Sequence, residues 1–193
     1  MGGMVQVFGE YVEEAAKKPL SQSLLVINSR ELMRNWRTVS LSSDFLAKYY
    51  SYYFPYREKA KERISRDVAE NSISFVLNEL IENTAKYSNA EDQTVSIRIC
   101  LLEEDIIFSL SNFVTAQLAE SFAKLAREIL ASNPQELYLT RLERNTQAEE
   151  SGSGLGYLTL INDYGIALGF KFEAAGPDLV QVTVQARMKC KEA

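Results

Sequence analysis

The chain has 193 residues, 46% hydrophobic and 24% charged, which suits one globular domain with its own core, or one domain with an N-terminal extension. Its formal net charge of −5 argues against a general nucleic-acid binder, because neutralising phosphates takes concentrated Lys and Arg. It contains no histidine, which excludes imidazole acid–base catalysis, phosphohistidine chemistry and the usual zinc sites.

The two cysteines, Cys100 and Cys190, form no metal-ligand pattern and read as buried or incidental thiols. Chemistry is left to carboxylates, amides, Lys and hydroxyls, with or without Mg²⁺. No apolar run approaches a membrane span, and no charged start leads into an apolar signal core. Met1-Gly2 lacks the Ser or Thr of a myristoylation signal, since position 6 is Gln6. A cytoplasmic protein with no membrane partner is expected.

Taken in order, Leu24 to Ile27 is a short apolar run that predicts a first strand. Leu41 to Tyr53 carries Phe45, Leu46, Tyr49 and Tyr50 at helical spacing and ends before Pro55. Arg57 to Tyr87 is helical again, with Ile73, Val76, Leu77, Leu80 and Ile81 at steps of three and four. The period then drops to two. Val95, Ile97, Ile99 and Leu101 predict a strand, Glu103-Glu104-Asp105 a turn, and Ile106 to Val114 an antiparallel partner. Leu118 to Leu130 and Pro134 to about Arg144 return to helical spacing. A polar, glycine-bearing stretch from Gln147 to Gly156 leads into a short helix ending near Tyr164. Ala167 to Ala174 and Leu179 to Arg187 read as final strands joined by Gly176-Pro177-Asp178. Helices segregated beside an antiparallel sheet give an α+β, two-layer sandwich.

Two features carry chemistry. On the helix after Ser72, Glu79, Glu82, Asn83 and Lys86 recur at i, i+3, i+4 and i+7 and share one stripe beside the apolar face. An Asn amide oxygen suits Mg²⁺, a carboxylate one turn earlier can align or deprotonate a hydroxyl, and Lys supplies a point charge for phosphate. Alone, the same stripe is also what a solvated helix face looks like. The second feature is Ser151-Gly152-Ser153-Gly154-Leu155-Gly156, running straight into a helix. Glycines admit phosphates close to the backbone, and the helix start offers free N–H groups. No Gly-Lys-Ser/Thr follows, so it is not a Walker loop, and by itself it reads equally as a connector.

Together, in this order, the segments are more specific. Phe75 to Ser88, with Asn78-Glu79-Leu80-Ile81-Glu82-Asn83-Thr84-Ala85-Lys86-Tyr87, resembles the N box of the GHKL superfamily (gyrase, Hsp90, histidine kinase, MutL). Gly152 to Gly156 resembles its second glycine box. The resemblance implies a Bergerat-type sandwich, mostly antiparallel, with helices on one face and ATP under a lid. It implies that Asn83 holds Mg²⁺, that Lys86 meets phosphate, and that Gly152, Gly154, Leu155 and Gly156 line the triphosphate. Glu79, where two-component kinases commonly carry Asn, is similar to the anti-sigma-factor serine/threonine kinases. It implies a catalytic carboxylate acting on a protein hydroxyl. The leader, with Asn35-Trp36-Arg37 and Leu41 to Tyr49, resembles that of SiaB-type kinases. The implied partner is a small STAS-domain anti-sigma-antagonist-like protein.

One departure stands out. The first glycine box, Asp-x-Gly-x-Gly, is replaced by Ser109-Leu110-Ser111-Asn112-Phe113-Val114, with Asn112 at the adenine-contacting position. An Asn carbonyl accepts a hydrogen bond but lacks the charge-assisted character of a carboxylate. Two readings follow: an ATP- and Mg²⁺-dependent kinase, or a degraded module of the same fold that sequesters a regulatory partner without phosphotransfer. The division expected is residues 1–56 as an N-terminal extension and 57–193 as the nucleotide-binding domain. The tyrosine cluster Tyr49 to Tyr56 reads either as a partner or homodimer surface or as a packed helix with hydroxyls at its rim. Arg141 and Arg144 are further candidates for reaching a γ-phosphate.

Overall fold

The apolar alternation of the strands has one destination, a six-stranded sheet in which every pairing is antiparallel. The computed structural model describes residues 5–13, 18–56, 64–87, 93–147 and 154–190, leaving aside the side chains of 36–40, 87 and 144–147. Over these residues the strands are β1 (Val5–Gly9), β2 (Ser21–Asn28), β3 (Thr94–Leu101), β4 (Asp105–Thr115), β5 (Ala167–Gly176) and β6 (Leu179–Lys189). Their spatial order is β1-β5-β6-β4-β3-β2, so β1 and β2 form the two edges. The helices are α1 (Ser29–Ser51), α2 (Arg66–Tyr87), α3 (Ala116–Ala131), α4 (Pro134–Gln147) and α5 (Leu155–Tyr164). The expected α+β sandwich is the fold.

The helix-side face of the sheet carries Ile97, Ile99, Phe108, Leu110, Phe170, Val184 and Ala186, all buried. Against it α2 lays Ile73, Val76, Leu77, Leu80 and Ile81. Each such side chain contributes about 1.5–3 kcal/mol when fully buried, which is why this helix is fixed on the sheet despite a charged outer face. Helix starts are set locally. Asn28 Oδ1 accepts from Arg30 N at 2.9 Å ahead of α1, and Asn133 Oδ1 accepts from Gln135 N at 3.0 Å ahead of α4. The helix expected from Leu41 is longer: α1 begins at Ser29 and bends at Asn35, whose φ is −129°.

The other face is partly covered by residues 10–13, which cross it as a strap. Buried Gln185 grips the strap twice, accepting from Val12 N at 2.8 Å and donating to Val12 O at 3.1 Å. Its amide also donates to Ser109 Oγ at 3.2 Å. Glu10 pairs with Arg187, and Glu13 with Lys171 at 3.2 Å. Gly169 admits the strap, since a Cβ there would lie 2.6 Å from Tyr11 Cα. Under it Val12 covers Cys100, Leu102 and Ile107. The boundary expected at residue 56/57 borders segment 57–63, which lies outside the described residues. No helix among the described residues is long and apolar enough to cross a membrane.

Candidate functional site

The site is a cleft between α2, α3, α5 and the strands β4 and β6. Helix α2 runs across the sheet with its apolar stripe inward, so residues one step off that stripe, Glu79 and Asn83, stand half-buried at its margin. Strand β4 supplies Asn112, 7% exposed and on the same face as Leu110 and Val114. The cleft floor is completed by Val114, Val182 and Val184, and its walls by Thr84, Leu118, Phe122 and Tyr157.

Gly154 begins α5 in the left-handed region, φ +63°, without a side-chain cap. A Cβ at this position would lie 2.9 Å from Arg141 Nη1 and 3.2 Å from Leu125 Cδ1. Two residues on, Gly156 lies directly against Glu79. A Cβ there would overlap Glu79 Oε2 and stand 3.5 Å from Asn83 Nδ2. The glycine loop and the carboxylate–amide pair, remote in sequence, therefore meet. At 156 glycine lets α5 lie against the Glu79 carboxylate, and at 154 it takes a left-handed backbone conformation that side chains rarely adopt.

Burial, and then the neighbouring Glu82, raise the Glu79 pKa above the ordinary carboxylate value, while Lys86 acts in the opposite direction. Asn83 Nδ2 is buried without a hydrogen-bond partner, an unsatisfied donor at the cleft. Lys86 is exposed and pairs with Glu82 at 2.6 Å, on the outer side of α2. Arg141 is held by Glu128 at 2.7 Å. Leu155 is half-buried in the first turn of α5. Gly152 and the surrounding residues 148–153 lie outside the described residues, as does the Arg144 side chain.

The walls Phe122 and Tyr157 were not picked out by sequence. Tyr157 is buried, with ring centroids 6.0 Å from Phe122 and 5.9 Å from Phe170. As arranged, the cleft has about 20 Å³ of room for the centre of a water molecule, enough for a water or two. Its polar groups suit phosphate or amide recognition, and the room between the described residues as they stand is smaller than a nucleotide. Strand β4 also continues through Asn112, paired with Val182, where a glycine box would interrupt it. Among the described residues no three acidic or thiol side chains converge as a metal cluster.

No protein-family model matches the chain, and no curated protein does. Among solved structures it is similar to a chain in the crystal structure of the SiaB–SiaC complex from Pseudomonas aeruginosa. The TM-score is 0.58 with 18% sequence identity, over 85% of this chain and 89% of that one. The likeness is one of fold.

Proposed function

We propose that this protein is an ATP-dependent serine/threonine kinase of the anti-sigma type, acting on a small STAS-like regulatory protein in a partner-switching pathway. The observation that carries the reading is the close approach of Gly156 to Glu79 beside Asn83, two segments remote in sequence that both resemble GHKL motifs. The similar solved structure is a complex of two proteins, SiaB and SiaC, which supports a protein as the partner. Mg²⁺-ATP, when bound, supplies the phosphoryl group and the cation that neutralises it. Asn83 would hold the cation through its amide oxygen, with water and phosphate oxygens completing the shell. The backbone at the start of α5 would meet the phosphates, and Asn112 would accept from the base. Glu79, half-desolvated, orients the substrate hydroxyl and takes its proton.

A second reading is favoured by a separate observation. The small cleft and the uninterrupted β4 suit a binding module that has lost nucleotide and sequesters its partner. A thermal melt with and without Mg²⁺-ATP separates the two. At one hundred times Kd a specific nucleotide stabilises the fold by about 2.7 kcal/mol, and the shift should vanish in Asn83→Ala. A wild-type midpoint that stays put at millimolar ATP would sink the kinase reading and leave the binding module.

A further inference from the structure

Helix α3 lies over the sheet with a cavity on each side. Leu118 and Phe122 wall the cleft already described, whereas Ala119 and Ala123 turn the other way, toward β5 and the edge strand β1. There a second cavity offers about 220 Å³ of room for the centre of a water molecule, against about 20 Å³ in the cleft. Voids larger than a single water are few in a folded domain, so this one calls for a cause. The cause is local. Phe122 is wedged among Tyr157, Phe170 and Phe172, with ring centroids at 6.0, 5.7 and 5.9 Å, and the wedge props α3 off the sheet. Beyond it the helix offers methyl groups over a floor of Phe172 and Val180. The rim is polar, with Gln6, Glu120 and Arg127. Glu120 and Arg127 stand two helical turns apart, about 10 Å along the axis. Glu120 is already paired with Lys124 at 3.1 Å. Arg127 instead lies over the Phe8 ring at 4.9 Å, and among the described residues it makes no ion pair. Phe8 meets Phe172 edge-on at 5.8 Å, so the guanidinium is held at one end of the apolar floor.

We infer that this cavity binds a small amphipathic carboxylate, its hydrocarbon chain on the Phe172–Val180 floor and its head group on Arg127. Size supports the assignment. At about 10–15 Å³ of the same measure per water, the cavity has room on the order of fifteen waters, which suits a ligand of roughly ten to fifteen non-hydrogen atoms. Charge supports it as well. A carboxylate matches the planar fork of a guanidinium that has no other acid to hold, and the attraction is strongest beside an apolar wall. At the far end Lys124 offsets the Glu120 carboxylate, so an anion is not turned away, whereas a cationic ligand would have to displace Lys124. An apolar lining with a few polar groups that fix orientation is the ordinary make-up of a small-molecule site. The site is distinct from the cleft. Gln6, Phe172, Val182 and Asn112 form one row across β1, β5, β6 and β4, and α3 divides that row, leaving Gln6 and Phe172 to the cavity and Val182 and Asn112 to the cleft.

The test is a titration of the isotope-labelled full chain with decanoate, decanol and decylammonium, each kept below the concentration at which it aggregates, followed by amide chemical shifts. Decanoate is expected to saturate and to move the amides of Ala119, Ala123, Arg127 and Phe172 most. Arg127→Gln should weaken decanoate by about tenfold or more while leaving decanol unchanged. Ala123→Leu, which fills the cavity, should abolish the binding. Arg127 is exposed, so its variant should fold; if Ala123→Leu does not, Arg127→Gln carries the test. Decanol binding as tightly as decanoate overturns the proposal, and so does a preference for decylammonium, which would give the rim to Glu120. Shifts that never saturate, or that ignore Arg127→Gln, overturn it too. Neither ATP nor a protein partner enters the titration, so its failure is distinguishable from failure of the kinase reading.

Discussion

Glu79 sits in a conflict between stability and chemistry. Its pKa is raised mainly by burial, so folding favours the protonated form, and the associated stability is complete at acid pH and lost as pH climbs through the raised value. Glu79→Gln should therefore melt higher than wild type near neutrality, with the gap closing toward about pH 4, where the wild-type carboxyl is itself protonated. Differential scanning calorimetry at the two pH values checks it; equal melting points at neutrality would remove the burial argument. Under the proposed kinase reading, phosphotransfer needs the ionised form and should fall in the same variant by about a hundredfold or more. Gly156→Ala is the complementary change. The new methyl collides with a flexible carboxylate end and not with backbone, so the melting point should drop by only a few degrees, equivalent to about 1–2 kcal/mol. Partner phosphorylation should nonetheless be lost, because Glu79 is pushed from its place. A collapse in stability comparable to a core cavity would show that 156 is a packing position.

At the level of elements, the parts of the sequence with a clean period were legible. Val95 to Leu101 alternates because one face is buried under the helices, with α1 reaching it through Tyr50, and the structure places its strand at Thr94–Leu101. The margin residues of α2 and the glycines of the α5 start stood out by spacing, and in the structure Gly156 lies against Glu79. Three things were not legible. Strand β1 is a five-residue segment whose side chains Val5 and Val7 are exposed on one face, so it lacks a strong apolar signature. The bend at Asn35 hid the first turns of α1, whose polar residues Arg30, Glu31, Arg34 and Asn35 blur the helical stripe. The closing of the cleft depends on where Phe122 and Tyr157 meet, a tertiary fact that neither α3 nor α5 announces alone.

For the whole molecule, the strap is the contact on which the sheet's second face depends. Replacing Gln185 by Leu removes both bonds to Val12 and the one to Ser109, leaving buried backbone groups without partners. The expected loss is about 1–3 kcal/mol, read as a lower urea midpoint with little change in slope. A midpoint within error of wild type would mean that the strap holds by its ion pairs instead. Glu10–Arg187 and Glu13–Lys171 lie at the rim, where salt screens them, so high salt should weaken the strap further in Gln185→Leu than in wild type.

The strap and β1 have a consequence for how the chain reaches this shape. Residues 5–13 are made early in synthesis, yet their partners, β5 and Gln185, lie more than 150 residues downstream. The segment must wait while β2 to β4 assemble from nearer neighbours, and it docks when the last hairpin arrives. Contacts of such long sequence separation are expected to form after the folding transition state, because closing so large a loop costs entropy first. Gln185→Leu should thus accelerate unfolding while leaving the refolding limb of the chevron almost untouched. The first strand of the sequence would be the last to join the sheet.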